Sequence, residues 1–216
     1  MASLTYMARA RADRDLNLFQ IPARVPEGLI YRTNFVSEIE EQDLIKQIQK
    51  VSLTSFKYYQ FTGKRRTASF GWQYEFESDE ITRALAVPEF ILPLRARAGK
   101  LFGVDADTLE QASIVEYPVG APIGWHRDIP QFGVIIGISL GAACRMRFRK
   151  YQRIRSKTAG REETLSIELQ PRSAYLMSGA SRALWQHSIP PVKELRYSIV
   201  MRSLHSKQNK AAVADC

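Results

Sequence analysis

His126 and Asp128 stand two residues apart in Gly124-Trp125-His126-Arg127-Asp128, and His187 follows in Leu184-Trp185-Gln186-His187-Ser188. The chain has 3 histidines, so two of them fall in these two short motifs. Residues two apart on a strand share a face, so His126 and Asp128 can present both side chains to one point. A third ligand from a distant strand would complete one edge of a metal. Two imidazoles and one carboxylate with open positions opposite suit non-haem Fe(II) and oxygen chemistry. Zinc competes for such a set, although it usually takes four ligands, often with cysteine, or three and a water. Neither cysteine, Cys144 or Cys216, is near the histidines in sequence.

A second group of residues points to an anionic partner for that metal. Arg196 and Arg202 are six apart, so on one strand they too share a face. Guanidinium groups bind carboxylates in a two-pronged manner, which suits a dicarboxylate co-substrate. The Tyr117 hydroxyl could reach the same carboxylate. The alternatives are ordinary ones: a surface arginine and a core tyrosine.

Strands must position these groups. Short strand candidates run over 113–117, 134–140, 145–149, 165–169, 174–177, 183–187 and 196–202, divided by Gly and Pro signals. Many short strands of this kind suggest a jelly roll. Ahead of them, Ser37-Glu38-Ile39-Glu40 reads as a capping box opening a helix through Leu44, Ile45, Ile48 and Val51. A second helix is expected over 88–102, with Pro93 forcing a kink or a late start. Between the helices, 56–61 and 70–76 read as an aromatic hairpin turning at Thr62-Gly63-Lys64. Lys64, Arg65 and Arg66 would then lie at its tip. Phe70, Trp72, Tyr74 and Phe76 alternate onto one face, either to pack a core or to stack on a base.

At 216 residues and 45% hydrophobic content the chain can bury one substantial core. Its net charge is +9. Eight of its cations lie between Arg145 and Arg161 with no acid among them, leaving a surplus of one elsewhere. In 145–149, Met146 and Phe148 share one face while Arg145, Arg147 and Arg149 share the other. Such a field could meet a phosphate backbone, or merely solubilise a loop. With 2 cysteines, no disulfide framework is implied and a reducing cytoplasm is expected. The N-terminus has no apolar run for a signal peptide or membrane span. Arg9, Arg11 and Arg14 hint at a transit peptide, which Asp13 and Asp15 oppose, so a disordered start is expected. No obligate protein partner is evident.

Taken in order, these motifs carry a resemblance. Tyr117, Ile123-Gly124-Trp125-His126-Arg127-Asp128, Ser139-Leu140-Gly141, Ser178-Gly179-Ala180-Ser181-Arg182, His187 and Arg196-Tyr197-Ser198-Ile199-Val200-Met201-Arg202 resemble the AlkB-like Fe(II)/2-oxoglutarate dioxygenases. The likeness is good over 114–204 and looser before residue 80, where Arg66 and Phe70–Tyr74 resemble the family's substrate lid.

The resemblance implies an α+β, mainly β fold: a double-stranded β-helix (jelly roll) with N-terminal helices and an aromatic, basic lid hairpin. It divides the chain into a flexible start (1–24), helices and lid (25–110), the dioxygenase core (111–205) and a flexible tail (206–216). His126, Asp128 and His187 would hold Fe(II). Arg196 and Tyr117 would take the distal carboxylate of 2-oxoglutarate, with Arg202 near the carboxylate beside its keto group. Oxidative decarboxylation to succinate and CO₂ with O₂ would accompany hydroxylation of an N-methyl group and release of formaldehyde. The implied substrate is an alkylated base in DNA or RNA, as in DNA repair. Arg66, Trp72, Tyr74, Trp125, Arg145, Arg147 and Arg149 are the candidates to touch it.

Three positions depart from the family pattern. Val115 and Ser198 stand where many members carry Asn, which removes potential co-substrate hydrogen bonds. Pro130 stands where repair-type members often carry an acid. A protein or small-molecule substrate, or a non-catalytic nucleic-acid-binding barrel, are the competing readings.

Overall fold

The structure is a computed structural model that describes residues 24–152 and 164–205. The expected flexible start up to residue 23, the tail from 206, and Arg153, Arg155, Lys157 and Arg161 of the basic run lie outside the described residues. Among those described, the order is β1 (Leu29–Arg32), α1 (Glu38–Gln49), β2 (Thr54–Tyr58), β3 (Phe61–Phe70), β4 (Trp72–Glu75), β5 (Glu80–Arg83), α2 (Leu92–Phe102), β6 (Gln111–Tyr117), β7 (Ile123–His126) and β8 (Phe132–Gly141). Then follow β9 (Cys144–Lys150), β10 (Leu165–Leu169), β11 (Ser173–Met177), α3 (Gly179–Ala183), β12 (Trp185–Ile189) and β13 (Arg196–Leu204). Among the described residues, no helix is long and apolar enough to cross a membrane.

Two antiparallel sheets make the jelly roll. A seven-stranded sheet has the order β1-β11-β8-β13-β6-β3-β2, and a four-stranded sheet has the order β10-β9-β12-β7. Alternation along each strand gives the large sheet two different faces. Ile114, Ile136, Ile138, Leu140, Ile199 and Met201 pack outward on Leu44 and Ile48 of α1 and Leu94 and Ala98 of α2. Their neighbours Val115, Ile135 and Val200 point inward, towards Met146, Phe148 and Ile167 of the small sheet. The central strands β6, β8, β11 and β13 are therefore buried on both faces. That explains their near-continuous apolar runs.

The helices are fixed locally. The Ser37 hydroxyl accepts from the Glu40 amide at 3.2 Å, and the Glu40 carboxylate accepts from the Ser37 amide at 2.8 Å. This closes the expected capping box, a device worth on the order of 1 kcal/mol. A 3-10 turn at Glu89–Ile91 precedes α2, and Pro93 sits in its first turn. There its missing N–H costs no hydrogen bond, so the proline delays the helix start.

The aromatic hairpin is not as expected. The chain turns at Tyr59-Gln60, with Tyr59 at φ 48°, and β3 runs unbroken through Thr62-Gly63-Lys64. Ladder pairing of β3 with β6, from Arg66↔Glu116 to Phe70↔Ala112, holds the strand straight through its polar residues. Lys64, Arg65 and Arg66 are therefore within a strand, not at a tip. The break comes at Gly71, at φ +71°, where a Cβ would lie 2.0 Å from the Glu110 carbonyl oxygen. Beyond it, β4 pairs with β5 in a separate hairpin, so Trp72 and Tyr74 leave the sheet in which Phe70 is buried. The strand expected at 183–187 lies two residues later because α3 occupies Gly179–Ala183. The shift is even, so the face of His187 is unchanged.

Candidate active site

The inward faces of the two sheets enclose a cavity of about 150 Å³. Arg196, Ser198, Val200 and Arg202 of β13 reach it from the large sheet, with Ser113, Val115 and Tyr117 of β6. His126, Met146 and His187 reach it from the small one. Each set is one parity of an alternating strand.

His187 and His126 are register partners across β12 and β7, with ring centroids 4.2 Å apart. Asp128 follows immediately after β7, and one ligand atom from each of the three lies within 4.8 Å of the others. The His126 Nδ1 is 2.9 Å from the Gly124 carbonyl, which accepts its proton and leaves Nε2 as the free lone pair. The His187 Nε2 approaches Asp128 Oδ2 at 3.5 Å. Burial, and then His126, push His187 down to about 3, with Asp128 opposing. Burial also lowers His126, again against Asp128. Both imidazoles are thus neutral near pH 7, as a metal ligand requires. Burial alone would raise Asp128, but Arg202, then His187 and His126, outweigh it and hold the carboxyl far below its usual range.

The two motif arginines differ in what they bind. The Arg202 Nε donates to Asp128 Oδ1 at 3.0 Å, and its Nη1 donates to Gln111 Oε1 at 2.8 Å and Ser113 Oγ at 3.3 Å. Arg202 therefore orients Asp128 through Nε while its side chain also lines the cavity. Arg196 is 1% exposed, pairs in register with Tyr117, and donates from Nε to Ser139 Oγ at 3.2 Å. Its guanidinium carbon lies 4.8 Å from the Tyr117 ring centroid. Its Nη1 is buried with no acceptor among the described residues. A buried guanidinium without a carboxylate is costly unless an anion completes it. Two neutral imidazoles, one carboxylate and this orphan donor on a single cavity fit Fe(II) with a dicarboxylate. Cys144 is buried on β9 but does not line the cavity, so no thiolate joins the set.

The departures from the family pattern have local partners here. The Ser198 hydroxyl donates to the Ile138 carbonyl at 3.1 Å, so its proton is already used within the sheet. Val115 lines the cavity as an apolar wall. Pro130 is exposed and does not line the cavity.

The residues expected to touch substrate do not line the cavity. Arg66 pairs with Glu116 at 3.0 Å and donates to the Leu53 carbonyl. Trp72 donates to Glu110 at 3.1 Å beneath Arg83, and Tyr74 donates to Asp79. Trp125, Arg145, Arg147 and Arg149 have the parity opposite to His126 and Met146, so they lie on the outer face of the small sheet.

The cavity instead holds Arg65, expected at a hairpin tip, together with Phe56 and Tyr175, which the sequence does not mark as site residues. The Arg65 guanidinium stacks 3.6 Å over the Phe56 ring. Reading β3 as one strand would have put Arg65 with Thr67 and Ser69 on the inner face. Arg182 was visible only as a motif letter. Its Nη2 donates to the Ile129 carbonyl and, at 2.8 Å, to that of Phe132, which pins the segment carrying Asp128.

Known proteins bear on this geometry. The model of the 2OG-Fe(II) oxygenase superfamily matches residues 28–209. An Arabidopsis thaliana protein called "Alkylated DNA repair protein ALKBH8 homolog" is 26% identical over 196 residues, covering 82% of this chain and 55% of its own length. The Mus musculus "tRNA (carboxymethyluridine(34)-5-O)-methyltransferase ALKBH8" is 27% identical over 179 residues, covering 78% of this chain and 25% of its own. The chain thus spans about half of one relative and a quarter of the other. Two solved structures share the fold. OsALKBH1 superposes at TM-score 0.63 with 13% identity, covering 84% of this chain and 99% of that one. A Pseudomonas putida prolyl-4-hydroxylase superposes at 0.58 with 11% identity, covering 82% and 93%. The chain belongs to the 2OG-Fe(II) oxygenase superfamily: it is an AlkB-like, Fe(II)- and 2-oxoglutarate-dependent dioxygenase.

Proposed function

We propose that this enzyme oxidises a modified base in nucleic acid, with RNA, and tRNA in particular, as the first substrate to examine. His126, Asp128 and His187 hold the iron. Arg196, with Tyr117 beside it, takes the distal carboxylate of 2-oxoglutarate. Arg202 keeps Asp128 ionised and aimed. The observation that carries the catalytic reading is the orphan Nη1 of buried Arg196 in the same cavity as the three ligands.

Bound Fe(II) and 2-oxoglutarate supply the oxidising chemistry, in which O₂ is consumed, 2-oxoglutarate becomes succinate and CO₂, and a substrate C–H bond is hydroxylated. On an N-methyl group the hydroxymethyl product would release formaldehyde. The protein's contribution is placement and dryness. Val115, Ile135, Met146 and Val200 give the cavity apolar walls that exclude water. The neutral imidazoles and ionised Asp128 are held ready for metal without a proton having to leave.

Nucleic acid as substrate is supported by the relatives' names, one for tRNA and one for alkylated DNA, and by the net charge of +9. The test is nucleoside mass spectrometry. Iron-loaded protein with 2-oxoglutarate is incubated with bulk tRNA and with methylated RNA and DNA oligonucleotides, and formaldehyde is measured in parallel. One modified nucleoside in tRNA or RNA should gain an oxygen or lose its methyl group. Steady 2-oxoglutarate turnover with every nucleoside unchanged would redirect the search to protein or small-molecule substrates.

A further inference from the structure

The arginines of β9 face away from the cavity, and what they build there is a surface of its own. The strand that turns His126 inward turns Trp125 outward, and Arg127 follows with the same outward parity. Arg147 and Arg149 extend from β9 across β12 to reach that tryptophan. The Arg147 Nε donates to Ser188 Oγ at 3.1 Å and its guanidinium lies 5.0 Å from the Trp125 ring centroid. The Arg149 Nε donates to Gln186 Oε1 at 2.7 Å and its guanidinium lies 4.6 Å from the same centroid. Arg127 stacks 3.7 Å over Tyr151 and donates to the Ala183 carbonyl at 3.0 Å. Arg145 is exposed at the near end of β9, two residues from Arg147.

Two of these contacts orient charge without cancelling it. Ser188 Oγ and the Ala183 carbonyl are neutral acceptors, so they fix the guanidinium planes of Arg147 and Arg127 and leave their positive charge in place. Arg145 and Arg147 have no ion pair among the described residues. Glu168, the register partner of Arg145, is the one acid on the described strands of this face. Strand geometry spaces Arg145, Arg147 and Arg149 at about 7 Å intervals. Between and beside them lie two aromatic rings, Trp125 half-buried and Tyr151 41% exposed. Guanidinium groups in a row, interleaved with rings that can stack, match a polynucleotide: phosphates for the cations and bases for the rings. An acidic polypeptide would use the cations and leave the rings unexplained.

We propose that the outer face of the small sheet, built on Trp125, Arg127, Arg145, Arg147 and Tyr151, is a second nucleic-acid-binding surface, separate from the catalytic cavity. It holds the single-stranded backbone of the polynucleotide while a distant nucleotide is processed on the other side of the same sheet. This rests on the nucleic-acid reading of the substrate, and the experiment separates the two.

The probe is a fluorescein-labelled, unmodified single-stranded oligoribonucleotide, followed by anisotropy against the iron-loaded full chain over a series of salt concentrations. Wild-type affinity should fall steeply with salt. The R145E/R147E double variant should bind at least about tenfold more weakly, with the log–log salt slope reduced by about two. If that variant melts early, R145Q/R147Q serves in its place, with circular dichroism confirming the fold and the same loss of slope expected. Ultraviolet cross-linking of the wild-type complex should place adducts in the peptides containing Trp125 or Tyr151. Wild-type binding with an unchanged slope in both variants, or adducts confined to cavity residues such as Phe56, would overturn the second surface and leave a nucleic-acid substrate intact. Failure of the wild type to bind any RNA or DNA oligonucleotide would overturn both. Poly-glutamate of equal charge binding as tightly as the RNA would overturn the assignment to nucleic acid.

Discussion

Arg202 and Asp128 form a part-buried pair, guanidinium Nε to carboxylate Oδ1 at 3.0 Å, and the other carboxylate oxygen faces His187 at 3.5 Å. One arginine thereby sets the charge and the direction of the carboxylate that stands beside the two imidazoles. Gln111 and Ser113 hold Arg202 in turn, so the order at the candidate metal site extends through three residues of β6 and β13.

Removing that support should loosen the metal. Arg202→Gln is expected to weaken Fe(II) affinity about 10- to 100-fold, the usual range for groups that orient metal ligands. A competitive titration with a metal-binding dye checks it. Unchanged affinity would mean that Asp128 needs no such partner.

Arg196 should act on the co-substrate instead. Arg196→Met deletes a charged donor worth about 1.5–3 kcal/mol, so the 2-oxoglutarate KM should rise by roughly ten- to a hundredfold. Metal affinity should stay near wild type, and Arg196→Lys should recover part of the loss. Turnover of 2-oxoglutarate without a second substrate is the assay. A KM unmoved by the methionine variant would remove Arg196 from the co-substrate site.

How far the sequence disclosed this division is instructive. Spacing of two or six residues is enough to give His126 and Asp128 one face, and Arg196 and Arg202 one face, because strand parity is exact over short runs. It cannot reveal that the Arg202 Nε and Nη1 already have partners, since Gln111 and Ser113 lie 91 and 89 positions away. Arg65 was lost for a different reason. Thr62-Gly63-Lys64 carries turn residues that pairing with neighbouring strands overrides, so the supposed tip is a strand interior. The alternation of Arg145 to Arg149 was legible, whereas which face looked into the cavity depended on the inward burial of Met146.

Acid should destabilise the metal-free protein. His187 is held at about 3 when folded, against an ordinary 6.5, so the unfolded chain takes up that proton first as pH falls. Stability from this group is complete above about pH 6.5 and declines towards pH 3. The slope approaches about 1.4 kcal/mol per pH unit for one proton. Asp128 is also depressed, so its contribution is present above its unfolded value, near 3.8, and is lost below it. Urea denaturation after metal removal should show a lower midpoint at pH 5 than at pH 7.5, and His187→Gln should flatten the difference. Equal midpoints in the unsubstituted protein would contradict the buried, neutral imidazole.

Gly137 makes room for Tyr175 on the cavity wall. A Cβ at Gly137 would lie 2.2 Å from the Tyr175 ring, so Gly137→Ala must push that ring away. Overpacking of this kind costs about 1–3 kcal/mol, read as a shift in the urea midpoint. Tyr175→Leu in the same chain should relieve the added cost in a double-mutant cycle. Additive losses would show that the two residues do not press on each other.

The most direct measurement is an anaerobic titration of 2-oxoglutarate into the Fe(II)-loaded protein, following the visible absorption of the iron–keto acid chelate. The wild type should develop the band with one equivalent. Arg196→Met should develop it only at much higher 2-oxoglutarate, and His187→Ala should not develop it. A band that forms equally well in His187→Ala, or none in the wild type, would contradict the assignment of His126, Asp128 and His187 as the iron site.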